Sequence, residues 1–119
     1  MTIANISTQR MVAVKAGLAD TFLARLKGLL GRTSLEPGEA LVITRCNSIH
    51  MFFMRFALDV VFVDRSWCVV GLVRGIRPFQ LSPIFWRAAT AIELPVGTIA
   101  STGIIVGQTL FLDQSESGK

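Results

Sequence analysis

The sequence predicts an α+β protein, mostly antiparallel β, built as a compact sheet or partly open barrel with one main helix near residues 20–31. Three observations predict it. Short runs rich in β-branched and aromatic residues recur between turns that carry glycine or proline, as strands do. Apolar residues at helical spacing occur convincingly over one stretch. Hydrophobic residues make up 51% of a 119-residue chain, enough to fill the core of one domain over 1–119.

Taken in order, residues 1–9 carry little pattern and read as a loose arm. Residues 11–14 form a short β-type run closed by Lys15-Ala16-Gly17. Asp20 or Thr21 then caps a helix, since either side-chain oxygen can accept the orphan N–H groups of a first turn. Phe22, Leu23, Leu26, Leu29 and Leu30 share its buried face, and Gly31 suits its end. Glu36-Pro37-Gly38-Glu39 is a turn leading into a strand over 40–44. Residues 58–63 are a strand, Asp64-Arg65-Ser66 the turn of a hairpin, and 67–73 its second arm. Residues 76–86, with Pro78 and Pro83, form an ordered loop. A strand over 89–94 stops at Pro95-Val96-Gly97, and Thr98 caps a single helical turn ending at Gly103. Residues 104–106 and 110–112 make a final hairpin or bulged strand, and the tail from 114 to 119 is frayed.

Charge and cysteine usage narrow the function classes. The net charge is +4, and the excess sits mid-chain: Arg45, Arg55, Arg65, Arg74, Arg77 and Arg87 stand against Asp59 and Asp64. These arginines come singly between apolar runs, which favours solvated strand ends and disfavours a nucleic-acid surface. Two cysteines do not make a disulfide framework. No run approaches the ~18 apolar residues of a membrane span, and the first residues lack the apolar core of a signal peptide. A cytoplasmic protein with reduced thiols is expected, although a chain trimmed of its signal peptide has the same sequence. The high apolar content leaves room for a homo-oligomer, a docked protein or an apolar ligand groove, beside the plainer alternative of a well-filled core.

The stretch from Cys46 to Asp64 concentrates the chemistry. It holds the sole histidine, His50, and one of the two cysteines. On a helix Cys46 and His50 would lie ~5–6 Å apart at Cβ and could form a nucleophilic dyad. In a strand they are separated by about 13 Å, and the Phe-rich run leading into a strand favours this extended form. The cysteines, histidine and carboxylates show no metal-ligand spacing. In the strand over 58–63, Asp59 shares a face with Val61 and Val63, while Leu58, Val60 and Phe62 take the other. A carboxylate among apolar neighbours needs partners, and Arg55 and His50 are the nearest in sequence. Asp59 therefore reads first as a fold-fixing anchor and second as a carboxylate lining a ligand pocket. Met51-Phe52-Phe53-Met54 offers either a soft recognition surface or, preferably, side chains covered by the rest of the fold. Glu93, again an acid in an apolar strand, pairs with a mid-chain arginine or shares a pocket with Asp59.

Three blocks carry a family resemblance. They are Phe22-x-x-Arg25-x-x-Gly28-Leu29-Leu30-x-Arg32, then Ser48-Ile49-His50 through Met54-Arg55-Phe56-Ala57-Leu58-Asp59 to Asp64, and Glu93-Leu94-Pro95-Val96-Gly97-Thr98 with Gly107-Gln108. In these the chain resembles the domain of unknown function 192 family of small bacterial and archaeal proteins. It departs at Leu30, Ala57 and Gln108, where the family favours Met, Pro and Asp. The resemblance implies an α+β, mostly β fold and brings no activity with it. The expected function is a noncatalytic binding or assembly module for a small ligand or protein, centred on 46–59, with Ser48, His50, Met54, Arg55, Asp59 and Glu93 facing the ligand and no metal or cofactor. The alternative is a small enzyme of hydrolytic type using His50 with Asp59 or Cys46. A weaker alternative is an accessory nucleic-acid binder.

Overall fold

The structure is a computed structural model that describes residues 1–19, 34–52 and 54–115. In these residues the order of elements is β1 (Thr2–Asn5), β2 (Arg10–Ala13), β3 (Lys15–Ala19), β4 (Glu39–Thr44), β5 (Leu58–Val63), β6 (Val69–Ile76), β7 (Thr90–Pro95), α1 (Thr98–Thr102) and β8 (Leu110–Asp113). The strands form a three-stranded sheet in the order β2-β1-β8 and a five-stranded sheet in the order β3-β4-β7-β5-β6. Every pairing is antiparallel except β3 with β4. The protein is thus α+β and mostly antiparallel β. The helix expected over 20–31 lies outside the described residues.

The two sheets meet along two seams without closing a barrel. At one, β2 passes into β3 through Val14 alone, and the Ala16 N–H donates to the Met1 carbonyl at 2.9 Å. At the other, Cys68 and Thr109 form an isolated antiparallel bridge, and the Val69 N–H donates to the Gln108 carbonyl at 2.8 Å.

Packing follows from the two-residue period of strands. Val61 and Val63 of β5 join Ile92 and Leu94 of β7, Ile99 of α1 and Ile3 of β1 in one buried cluster between the sheets. Leu58, Val60 and Phe62 face the other way, into a cluster with Ile49, Met51, Met54 and Ala91. All six residues of β5 are buried, as expected of a strand flanked and covered on both sides.

The second cluster is covered by an unusual device that strand directions require. Both β4 and β5 run antiparallel to β7, so they are parallel to each other, and residues 45–57 must cross the sheet from end to end. By the same reasoning β6 and β7 are parallel, and residues 77–89 must cross in the opposite sense. The two crossovers pair with one another. The Cys46 N–H donates to Ala89, Phe85 to Asn47, Ser82 to Ile49 and Met51 to Gln80, at 2.8–3.1 Å. Together they make an irregular antiparallel ribbon lying on the sheet. The central stretch is therefore extended over 46–51, turns where the Met54 N–H donates to the Met51 carbonyl at 3.3 Å, and is extended again as β5.

Phe85 anchors this ribbon. Its ring lies 4.6 Å from that of Phe62, tilted by 32°, and rests directly on the backbone of Gly71, where a Cβ would overlap the ring. Gly71→Ala is expected to cost about 1–3 kcal/mol by displacing Phe85, which urea unfolding would register. An unchanged midpoint would mean that the ring moves aside freely.

Several expectations are corrected. Residues 2–5 are no loose arm; they are the middle strand of the smaller sheet, with Ile3 fully buried between β2 and β8. Lys15-Ala16-Gly17 does not close a run, because β3 continues to Ala19 and draws its hydrogen bonds from the parallel ladder with β4. Residues 104–106 are not a strand. Gln108 holds them in a turn, its Oε1 accepting from the Ile105 N–H at 3.0 Å and from Nδ2 of buried Asn5 at 2.8 Å. Residues 116–119 and Phe53 lie outside the described residues.

Candidate functional site

Asp59 is 1% exposed, and its carboxylate accepts three backbone N–H groups. Oδ1 takes that of Gly75 at 2.9 Å; Oδ2 takes those of Gly97 at 3.0 Å and Ile99 at 2.9 Å. The last two donors are the N-cap residue and a first-turn residue of α1, whose orphan N–H groups need an acceptor. Thr98 does not provide it; its hydroxyl donates to the Pro95 carbonyl at 2.7 Å instead. A carboxylate from a different strand therefore caps α1. Gly97, with φ of 94°, turns its N–H toward Asp59 through a backbone conformation that a side chain would resist. The partners expected for Asp59, Arg55 and His50, are not the ones that bind its oxygens.

Glu93 is also buried, but on the opposite face of the sheet. Asp59 pairs across the ladder with Leu94 and Glu93 with Val60, and cross-strand partners share a face. The two carboxylates do not share a pocket. Met54 is buried under the crossover ribbon and Arg55 is exposed. Half-buried His50 bridges to Leu81 and stacks on Phe52 with ring centroids 5.0 Å apart. The Cys46 thiol donates to the Ser48 carbonyl at 3.1 Å, and neither Cys46 nor His50 lies on a helix. Among the described residues no three His, Cys, Asp or Glu side chains gather as a metal site would require.

Sheet register assembles a different site. Thr44, Thr90 and Val63 lie in one row across β4, β7 and β5. Arg45 follows the first of these, Arg65 comes two residues after the last, and Arg87 stands three residues before Thr90. Three arginines scattered in sequence therefore reach the same end of the sheet. They line an open cleft of about 630 Å³ with Cys46, Asn47, Ser66 and Trp86. The one carboxylate on its wall is Asp64, whose Oδ1 accepts the Ser66 and Cys68 N–H groups at 2.9 and 3.0 Å. Arg45 has a φ of 52°, uncommon for a residue with a side chain. Arg55, Arg74 and Arg77 do not line this cleft. Nor do Ser48, His50, Met54, Asp59 and Glu93, which are also absent from the walls of a second cleft, about 570 Å³, between Leu18, Trp67 and Phe111.

Guanidinium groups are planar, permanently charged forks that match phosphate and carboxylate oxygens. Three of them around an open volume, with the local acid engaged in a turn, can hold a multiply charged anion. No signal within one sequence window marks this site, because its members are united only by strand register.

Fold and site together define an α+β protein of two packed sheets, with a basic cleft at one end of the larger. Residues 3–112 match the domain of unknown function 192 family, described as an uncharacterized ACR, and the chain belongs to that family. It is 37% identical over 97 residues to a UPF0127 protein of Thermococcus sibiricus, covering 78% of this chain and 62% of that one. To a UPF0127 protein of Pyrococcus furiosus it is 30% identical over 112 residues, covering 89% and 93%. The chain spans about three fifths of the length of the Thermococcus relatives it matches. These relatives are archaeal, whereas two similar solved structures are bacterial. A Novosphingobium aromaticivorans protein of unknown function superposes with a TM-score of 0.77 at 24% identity, covering 93% of this chain and 82% of that one. A proposed transcription regulator of Sinorhizobium meliloti gives 0.75 at 22% identity, covering 92% and 89%. At these identities the likeness concerns the fold. No helix among the described residues is long and apolar enough to cross a membrane.

Proposed function

We propose that this protein is a single-domain, noncatalytic binding module whose ligand is a small, multiply charged anion of the phosphate class, held by Arg45, Arg65 and Arg87. The observation that carries this reading is the convergence of these three guanidinium-bearing residues on one open cleft, beside the side chains of Asn47 and Ser66. The binding region expected around 46–59 thus keeps its first two residues, Cys46 and Asn47, and gains the ends of β5 and β7. The module works in the cytoplasm, where its two cysteines, not joined in a disulfide, stay reduced.

Calorimetric titration with inorganic pyrophosphate tests this. The wild-type chain should bind it, more weakly as salt rises, since exposed charges are screened. Arg45→Gln/Arg65→Gln/Arg87→Gln should lower affinity at least about tenfold, the loss of one good charge-assisted hydrogen bond or more. All three arginines are exposed, so the melting curve should hardly move. Equal pyrophosphate affinity in the two proteins would end this reading.

A further inference from the structure

The crossover over residues 77–89 carries an apolar ridge that meets the anion cleft only at its Trp86 end. Its outer surface exposes Phe79 by 74%, Leu81 by 67%, Ile84 by 49% and Trp86 by 80%, and Phe52 of the facing crossover is 44% exposed. Side chains of this size gathered on one ribbon are not explained by core formation. The ribbon is firmly held. The Phe79 N–H donates to the Met51 carbonyl at 2.7 Å, and Ser82 and Phe85 donate to the facing crossover at 2.9 and 2.8 Å.

One turn is also strained in a way that presents an aromatic ring to solvent. The Gln80 N–H donates to the Arg77 carbonyl at 3.1 Å, closing Arg77-Pro78-Phe79-Gln80 as in a type II turn. The third position of that turn needs positive φ and ordinarily holds glycine. Here it holds Phe79, with φ of 68°. A bulky residue kept in this region while exposed suggests a role for its ring outside the fold.

Charge indicates what covers the ridge. Arg55 and Arg77 flank its Phe79 end, since both adjoin the row of Leu58 and Ile76. Arg45 and Arg87 flank its Trp86 end. Between residues 45 and 89 the acids are Asp59, buried on three N–H donors, and Asp64, tied into its turn. An apolar crest with cations at both ends matches a surface that is greasy within and negative at its boundary. A second copy docked about a twofold axis would set these arginines against their own equivalents. Leu81 and Ile84 offer no face for stacking nucleobases. Ile84 and Trp86 border a shallow cleft of about 310 Å³ with Val70 and Phe85, whereas Phe79 and Leu81 stand outside it and outside the two clefts described above.

We propose that the outer face of the 77–89 crossover, with Phe79, Leu81, Ile84 and Trp86 entering the headgroup boundary, docks this protein peripherally on an anionic lipid surface. This goes beyond the anion cleft, with which it shares Arg45, Trp86 and Arg87, and does not require that the cleft bind a small anion. The test is co-sedimentation of the full chain with vesicles of phosphatidylcholine alone and of phosphatidylcholine mixed with phosphatidylglycerol. Partition should be at least about tenfold stronger on the anionic vesicles, with a blue shift of tryptophan emission as Trp86 leaves water. Phe79→Ser/Leu81→Ser/Ile84→Ser, which changes no residue of the arginine cleft, should cut that partition at least about tenfold and keep pyrophosphate binding intact. Wild-type protein left in the supernatant with anionic vesicles would overturn the proposal and leave the ridge to a protein partner. So would a triple serine variant that sediments like the wild type, since charge alone would then account for binding.

Discussion

Asp59→Ala is expected to lower the stability of the protein by about 4 kcal/mol, a large part of the ~5–15 kcal/mol available to a small domain. The loss follows from the donors left behind. Gly75, Gly97 and Ile99 each direct a backbone N–H at this carboxylate, and alanine offers none of them an acceptor. Each buried orphan costs ~1–3 kcal/mol. The three donors come from β6, the β7–α1 turn and α1, so one side chain holds three elements against β5. Asp59→Asn separates the charge and acceptor count from the side-chain shape. Its single oxygen can still serve Gly97 and Ile99, while its NH₂ would confront the Gly75 N–H, donor against donor. A loss of about 2 kcal/mol is expected, between alanine and wild type. Urea unfolding followed by circular dichroism gives the order directly. Midpoints for both variants within error of wild type would mean that the carboxylate is not the anchor described.

The same residue shows how far sequence reasoning reaches in this fold. Alternation along 58–63 was enough to place Asp59 on one buried face of β5 and to require partners for it. It could not name them, because the donors lie 16, 38 and 40 residues away and are backbone groups, which no side-chain pattern announces. Arg55 and His50 are the candidates a sequence offers only because they are near Asp59 along the chain. The arginine cleft was illegible for a related reason. Arg45, Arg65 and Arg87 look scattered until the row Thr44–Thr90–Val63 brings strand ends together. Elements set by tertiary pairing were also hidden. Lys15–Ala19 has little β-propensity and becomes a strand through its ladder with β4, while Ile104-Ile105-Val106 has high propensity and is held in a turn by Gln108. The 58–63 strand and the 64–66 turn were legible because local pattern and global packing agree there.

Phe62→Ala is expected to cost about 3–5 kcal/mol, the usual range for removing a fully buried ring and leaving a cavity. Here the cavity would open under the crossover ribbon, because the Phe62 ring supports that of Phe85, which in turn covers Gly71. The effect should therefore reach beyond β5. A double-mutant cycle with Phe85→Ala should give a coupling of about 0.5–1.5 kcal/mol, the worth of a tilted aromatic pair beyond its buried area. Phe62→Ala alone should also speed chymotrypsin cleavage within 79–86, because the ribbon would lose its main apolar attachment to the sheet while keeping its hydrogen bonds to 46–51. Zero coupling, or cleavage no faster than global unfolding allows, would mean that the crossovers hold each other in place without the sheet beneath. If the coupling is found, the rigidity that holds Phe79 and Trp86 out in solvent originates in β5, the strand that also supplies Asp59 and ends beside Arg65.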